Sequence, residues 1–440
     1  MQLDQFTYND LSIFQAEEEF SVFYRLNFTR TAGGMEWLKK YFREPFGDLE
    51  KIHNRQAALR LIMNKLEQWP MSISNGTILV LEKFMDYNLD PLPRSADNMN
   101  SYLYRLLHSP DFALARYSLS HFGDFVRNMR DLTELLSDEE ATPRMQLLLS
   151  RCRTLLQHKQ VDDMLKRPTG RSFSVRETVY YGQFFHETFR TRVNELIEIY
   201  SQFDAWYSMA TAMKKFDLQF PVFIKQDEPL FEAEGLYHLL LNHPVPYDIS
   251  MNPSSNFIFL TGANMAGKST FIKSMGLAVF LAHIGMGVPA RKMKLTLFDG
   301  ILTNINVADN ISKGESYFYN EVHRIKNTVT KINDGRKWLV LIDELFKGTN
   351  IQDAMKCSSA VIRGVIKIRH ALFILSTHLY EVGEELKPFT NISFKYFETK
   401  IDNDQLHFSY QLKDGISTDR LGYLILRREG VVDLLDSING

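Results

Sequence analysis

NFIFLTGANMAGKST, residues 256–270, is the stretch whose reading decides the fold. Its first six positions are mostly apolar, as in a strand buried on both faces. Gly262-Ala263-Asn264-Met265-Ala266-Gly267-Lys268-Ser269 then matches the phosphate-loop (P-loop, Walker A) pattern G-x-x-x-x-G-K-[ST]. An apolar stretch of helical character follows from Thr270 to about Ile284. Strand, loop and helix in that order are the context the pattern requires. Gly262 and Gly267 permit a tight turn whose backbone N–H groups face phosphate oxygens, and the helix start adds its positive dipole end. Lys268 can reach the β- and γ-phosphates, and the Ser269 hydroxyl can ligate Mg²⁺.

Two more apolar runs of strand length lie downstream, at 337–342 and 371–376, with helical stretches at 320–332 and 353–368 between and around them. This alternation predicts an α/β domain over 221–440 with a mainly parallel sheet. The first run ends in Asp343-Glu344, which places an acid pair at the edge where the phosphate loop sits. Asp343 is expected to hold magnesium through water, and Glu344 to act as general base toward the attacking water. The second run ends in Ser376-Thr377-His378, so His378 falls at the same edge as a candidate γ-phosphate sensor.

Residues 1–220 read differently. Ile13, Phe14, Phe20, Phe23 and Tyr24, then Trp37, Leu38, Tyr41 and Phe42, recur at three- and four-residue steps. An N-terminal all-α domain is predicted, with breaks at Gly33-Gly34, Pro70, residues 90–93 and residues 168–170. Residues 144–192 carry ten Lys or Arg against four acids. That balance fits either a solvated helix face or a phosphate-contacting surface, with Arg167, Arg171 and Arg176 as the candidate DNA contacts.

Composition bounds the rest. Of 440 residues 45% are hydrophobic and 24% charged, which excludes wholesale disorder. With 51 Lys and Arg against 53 Asp and Glu the net charge is −2, so any nucleic-acid contact must come from a local patch. Cys152 and Cys357 stand far apart with no zinc-ligand spacing near them, which fits a reducing compartment. The N-terminus lacks the charge and apolar pattern of a signal peptide, and no run of about 18 apolar residues suits a membrane span. A soluble cytoplasmic protein is expected.

TGANMAGKSTFIKSMGLAVFLAHIGMGVPA from Thr261, together with DELFKGTN, ILSTHLYE and YQLKDGISTDRLGY, closely resembles the ATPase domain of the MutS family of DNA mismatch-repair proteins. LSIFQAEEEF from Leu11, RTAGGMEWLKKYFREPFGDLEKIHNRQAAL from Arg30 and LIEIYSQFDAWYSMATAMKKF from Leu196 are similar to the family's core-lever domain. The resemblance implies an ABC-type ATPase domain behind a helical lever, an ATP and Mg²⁺ requirement, a homodimer, and DNA as partner. It also implies that the family's mismatch-reading and connector domains are missing. Asn264, Lys268, Ser269 and Thr270 match the family's nucleotide contacts, within a nucleotide-binding loop that also holds Met265 and where Ala263 and Ala266, both small, replace the family's usual Pro and Gly. Ser316 stands where the family's signature serine reaches nucleotide bound by the other subunit, and residues 347–350 stand at its dimer-facing loop. His243-Pro244 matches a motif near the adenine, where Tyr247 either stacks on the base or packs. Phe42-Arg43-Glu44 spells the family's mismatch wedge but sits in lever-like sequence, so it reads as structural.

The leading expectation is a Mg-dependent ATPase of DNA repair that engages mismatched or structured DNA. The alternatives are an ATPase of junctions or recombination intermediates without mismatch preference, and an ATP-regulated scaffold. Retention of Lys268, Asp343, Glu344 and His378 favours hydrolysis over the scaffold.

Overall fold

The computed structural model describes residues 1–93, 95–168, 171–306, 317–402 and 405–417, with 426, 430, 431, 434 and 435. The chain forms two compact units, one of residues 26–43 and 53–215, the other of residues 1–25, 44–52 and 216–440.

Among its described residues the first unit holds helices and connecting loops and no strand. Its longest helices are Ser109–Leu135 and Arg190–Lys215, both with an apolar face turned into the core. Local start signals hold the shorter ones: Ser74 and Ser174 each close a capping box, and Asp97 accepts from Asn100 N–H. Gly33-Gly34, expected to break a helix, instead opens the helix Ala32–Arg43. A Cβ on Gly34 would lie 2.0 Å from Asp204 Oδ2, so the glycine serves a close approach to Arg190–Lys215 rather than a turn. Asp204 is fully buried and accepts the N–H groups of Arg30 and Thr31 and the Thr31 hydroxyl. Phe42 is fully buried too, which agrees with its structural reading.

The second unit holds two sheets. Its strands are β1 (Val222–Phe223), β2 (Phe231–Leu236), β3 (Tyr247–Met251), β4 (Phe257–Thr261), β5 (Lys292–Leu295), β6 (Gly300–Asn304), β7 (Trp338–Asp343), β8 (Ala371–Ser376), β9 (Ile392–Asp402) and β10 (Gln405–Asp414). The larger sheet runs β10-β9-β4-β8-β7-β6, parallel in every pairing but the β9–β10 hairpin. β4, β7 and β8 are buried along their whole length, which is why they read as unbroken apolar runs. The smaller sheet, β1-β5-β2-β3, is of mixed direction and carries the alternation of a half-buried sheet, buried and exposed residues taking turns along β3.

The compact units do not follow a boundary at 221. The helix Gln5–Asp10 belongs with the sheets: Asp10 accepts the Thr303 hydroxyl at 2.7 Å and the N–H groups of Ile305 and Asn306 at 3.1 Å. Helical periodicity in residues 1–25 identifies an apolar face but not which unit covers it.

Candidate nucleotide site

Register brings the strand ends together. Leu260 of β4 stands beside Ser376 of β8, and Ser376 beside Asp343 of β7, so the loops that follow open at one edge of the sheet. The loop after β4 needs its glycines. Gly262 and Gly267 have φ +141° and +105°, and a Cβ on Gly267 would meet the Tyr410 ring at 3.4 Å. Helix Lys268–His283 starts directly behind them, two residues earlier than the sequence suggests, and directs its free N–H groups at the loop.

Lys268 is only 6% exposed. Its ammonium donates to the carbonyls of Gly262 at 2.8 Å and Ala263 at 2.9 Å, and lies 3.4 Å from His378 Nε2. Burial lowers its pKa, with the carboxylates of Glu344 and Asp343 opposing the shift. Asp343 is held on both oxygens, by the hydroxyls of Ser269 and Ser376. Glu344 follows in a left-handed conformation, φ +63°. Its Oε1 lies 3.1 Å from His378 Nε2 and its Oε2 3.5 Å from Lys347 Nζ. Burial alone would raise the Glu344 carboxyl, but the His378 hydrogen bond and the charges of Lys347 and Lys268 carry it below its ordinary value.

These groups line a cavity of about 470 Å³, within the range of small-molecule sites. Leu241, His243, Val245, Tyr247 and Tyr410 share its wall with Ala263, Asn264, Met265, Gly267, Lys268, Ser269, Thr270, Asp343 and Glu344. Ala266 is buried behind the loop, whereas Met265 is 76% exposed at φ +66°. The donor set of one hydroxyl and two carboxylates suits a hard, oxygen-seeking ion such as Mg²⁺.

Tyr247 lines the cavity and also packs against its neighbours. Its ring is buried edge-on against Phe271 and Phe397, at 5.3 and 5.7 Å, and burial and Tyr410 push its hydroxyl up to about 12. Tyr410 also lines the cavity and is the more exposed of the two, 42% exposed at φ +53° where the β9–β10 register shifts. Sequence reading missed Tyr410 because a bulge inside a strand carries no local signature beyond an aromatic residue. It also missed Ser376 as the group that orients Asp343, although its place at a strand end was legible. Ser316 lies outside the described residues.

The arginines proposed for DNA are placed less favourably. Arg167, with a side chain 12% exposed, pairs with Glu177, donates to the Ser172 carbonyl at 3.3 Å and lies over the Phe173 ring. Arg176 donates to the Ala96 carbonyl at 2.9 Å, and Arg171 is exposed. Arg151 pairs with Glu195 and Arg190 with Asp86, so much of the positive excess in 144–192 meets acids outside that stretch.

Comparison with known proteins converges on the same half of the chain. Residues 258–433 match the family described as MutS domain V. The DNA mismatch repair protein MutS of Thermotoga maritima is 31% identical over 243 residues, 54% of this chain and 30% of that protein. MutS of Petrotoga mobilis is 27% identical over 242 residues, 54% of this chain and 29% of its own length. DNA mismatch repair protein MSH3 of Candida glabrata is 30% identical over 264 residues, 57% of this chain and 26% of that protein. The chain thus spans less than a third of the length of these relatives. Among the described residues no helix is long and apolar enough to cross a membrane.

Proposed function

This chain belongs to the MutS family through its domain V, residues 258–433, and from that premise we propose that it is a Mg-dependent ATPase of DNA repair. The observation that carries the reading is the convergence of Lys268, Ser269, Asp343 and Glu344 on one cavity wall, with His378 in contact with Lys268 and Glu344. Lys268 binds β- and γ-phosphate oxygens in place of the two carbonyls it now touches, while the loop N–H groups cradle the chain of phosphates. Ser269 and Asp343 would hold magnesium, Asp343 through water, and the ion supplies charge neutralisation to the phosphates. Glu344, ionised at neutral pH, accepts the proton of the attacking water as the water oxygen bonds to the γ-phosphorus and the bond to the departing ADP oxygen breaks. His378 orients that carboxylate and stands where it can sense the γ-phosphate. Of the two tyrosines in the cavity wall, the more exposed Tyr410 offers a ring on which the base can stack.

Family membership further supports a homodimer in which Ser316 completes the partner's site, and DNA as the macromolecular partner, mismatched or otherwise structured. Among the basic residues of the helical unit, Arg171 and Arg176 keep the exposure such contacts require, whereas Arg167 does not. The test is phosphate release with Glu344→Gln. Nucleotide binding is expected to persist while turnover falls about 10²- to 10⁴-fold. Hydrolysis at the wild-type rate would overturn the assignment. Running the wild type with homoduplex, mismatched and branched DNA separates mismatch repair from junction processing, and stimulation by none of them favours the scaffold.

A further inference from the structure

The helix Tyr317–Ile332 contributes a group that the hydrolytic scheme above does not use. Glu321 is 1% exposed, and its carboxylate faces no cation at ion-pair distance among the described residues. Its two oxygens accept consecutive backbone N–H groups instead, Lys347 at 3.2 Å and Gly348 at 3.3 Å. Burial raises its pKa, against the pull of those N–H groups and of Lys347. A buried carboxylate is costly to keep, so its pairing with main chain of the loop behind β7 calls for an explanation beyond packing.

The loop it grips is the one that carries Glu344. Glu344 and Phe346 both sit at left-handed φ, +63° and +61°, a conformation disfavoured for residues with side chains. Surroundings must hold such a conformation in place. The Glu344 N–H donates to the Ser376 carbonyl at 2.9 Å, and residues 346–348 beyond it are held from one face of the same helix. Phe318 packs on Phe346 with ring centroids 5.7 Å apart, and Glu321, three residues on, binds the N–H groups just beyond. The opposite anchor of this helix is Arg324, which donates to the carbonyls of Thr303 and Asn306 and to Asp10. Helix Tyr317–Ile332 therefore ties the end of β6 to the loop behind β7.

We propose that Glu321 is a positioning residue for hydrolysis: by binding the N–H groups of Lys347 and Gly348 its carboxylate fixes the loop in which Glu344 and Phe346 are left-handed, and so aims the Glu344 carboxylate. The inference rests on the assignment of Glu344 as general base. Because Glu321 grips main chain and lies outside the wall of the nucleotide cavity, its loss should alter the chemical step and spare nucleotide binding.

The experiment compares Glu321→Ala, Glu321→Gln and Glu344→Gln with wild type, measuring kcat and KM for Mg-ATP, affinity for a fluorescent ATP analogue, and thermal unfolding. Glu321→Ala is expected to lower kcat about 30- to 100-fold with KM within about threefold, since a misplaced catalytic group costs rate and not affinity. Glu321→Gln keeps one acceptor oxygen and should recover part of that loss. A kcat within twofold of wild type in both variants, or a loss of analogue affinity equal to the loss in kcat, overturns the proposal. Should Glu321→Ala fail to fold, Glu321→Gln decides by the same split. A wild-type rate in Glu344→Gln instead overturns the general-base reading, and the two failures are told apart by that control.

Discussion

Lys268 of the phosphate loop and Arg167 of the basic stretch are both cations drawn in against the protein, and they differ in what accepts their protons. Lys268 donates to two carbonyls at the wall of an open cavity, with two carboxylates close enough to oppose the loss of its charge. Arg167 is matched to the carboxylate of Glu177 and stacked over Phe173. One is kept available for an anion that arrives from outside, and the other already has its anion. A basic residue is a ligand-binding residue when its nearest acceptors can be exchanged for those of the ligand, and a structural one when they cannot. The contrast extends to their surroundings. The loop at 262–268 includes left-handed φ at Gly262, Met265 and Gly267, the cost a binding site carries, while helix Val175–Gln183 beside Arg167 is closed by a regular capping box.

Three substitutions break or sharpen this comparison. The largest effect is expected from Lys268→Ala, which removes charge-assisted contacts to phosphate worth about 2–3 kcal/mol, roughly 30- to 150-fold in Kd for ATP. Folding stability should hold or rise, because burial disfavours the ammonium in the absence of nucleotide. Isothermal titration and thermal unfolding on the same preparation check both halves, and an undiminished affinity for ATP would break the comparison. Arg167→Ala should do the reverse. It leaves the half-buried Glu177 without its cation and should lower unfolding stability by about 1–3 kcal/mol while ATP turnover stays at the wild-type level. Chemical denaturation alongside an ATPase assay decides it, and unchanged stability would return Arg167 to the pool of DNA contacts. The smallest effect belongs to Arg171→Ala, exposed and expected to shift stability by less than about 0.5 kcal/mol. If Arg171 touches a phosphate, the slope of log affinity for DNA against log salt should fall by about one unit, read by fluorescence anisotropy at several salt concentrations. A slope equal to that of wild type removes it from the interface.

The same difference explains how far each region could be read in advance. Around the phosphate loop, each inference rested on residues adjacent in sequence: a strand of five buried residues, eight loop positions, and acids directly behind the next strand. Parallel strands buried on both faces leave little freedom in register, so Thr261, Asp343 and Ser376 had to reach one edge. The basic stretch offered only a count of charges. Glu195 and Asp86, which answer Arg151 and Arg190, lie 44 and 104 residues away, beyond any window of composition.

By itself, then, the amino-acid sequence determined the glycine loop between β4 and the helix Lys268–His283, the acids and histidine at the strand ends, the parallel α/β character of the C-terminal half and the helical character of the rest, because each depends on local conformation and on burial patterns of short period. Only the tertiary structure decided which unit covers residues 1–25, why Gly34 is a contact rather than a break, and that Tyr410 joins Tyr247 in the wall of the cavity. It alone brought Glu321 onto the loop that carries Glu344. Each of these is settled by a partner distant along the chain, and the identity of that partner follows from packing, which no local pattern encodes.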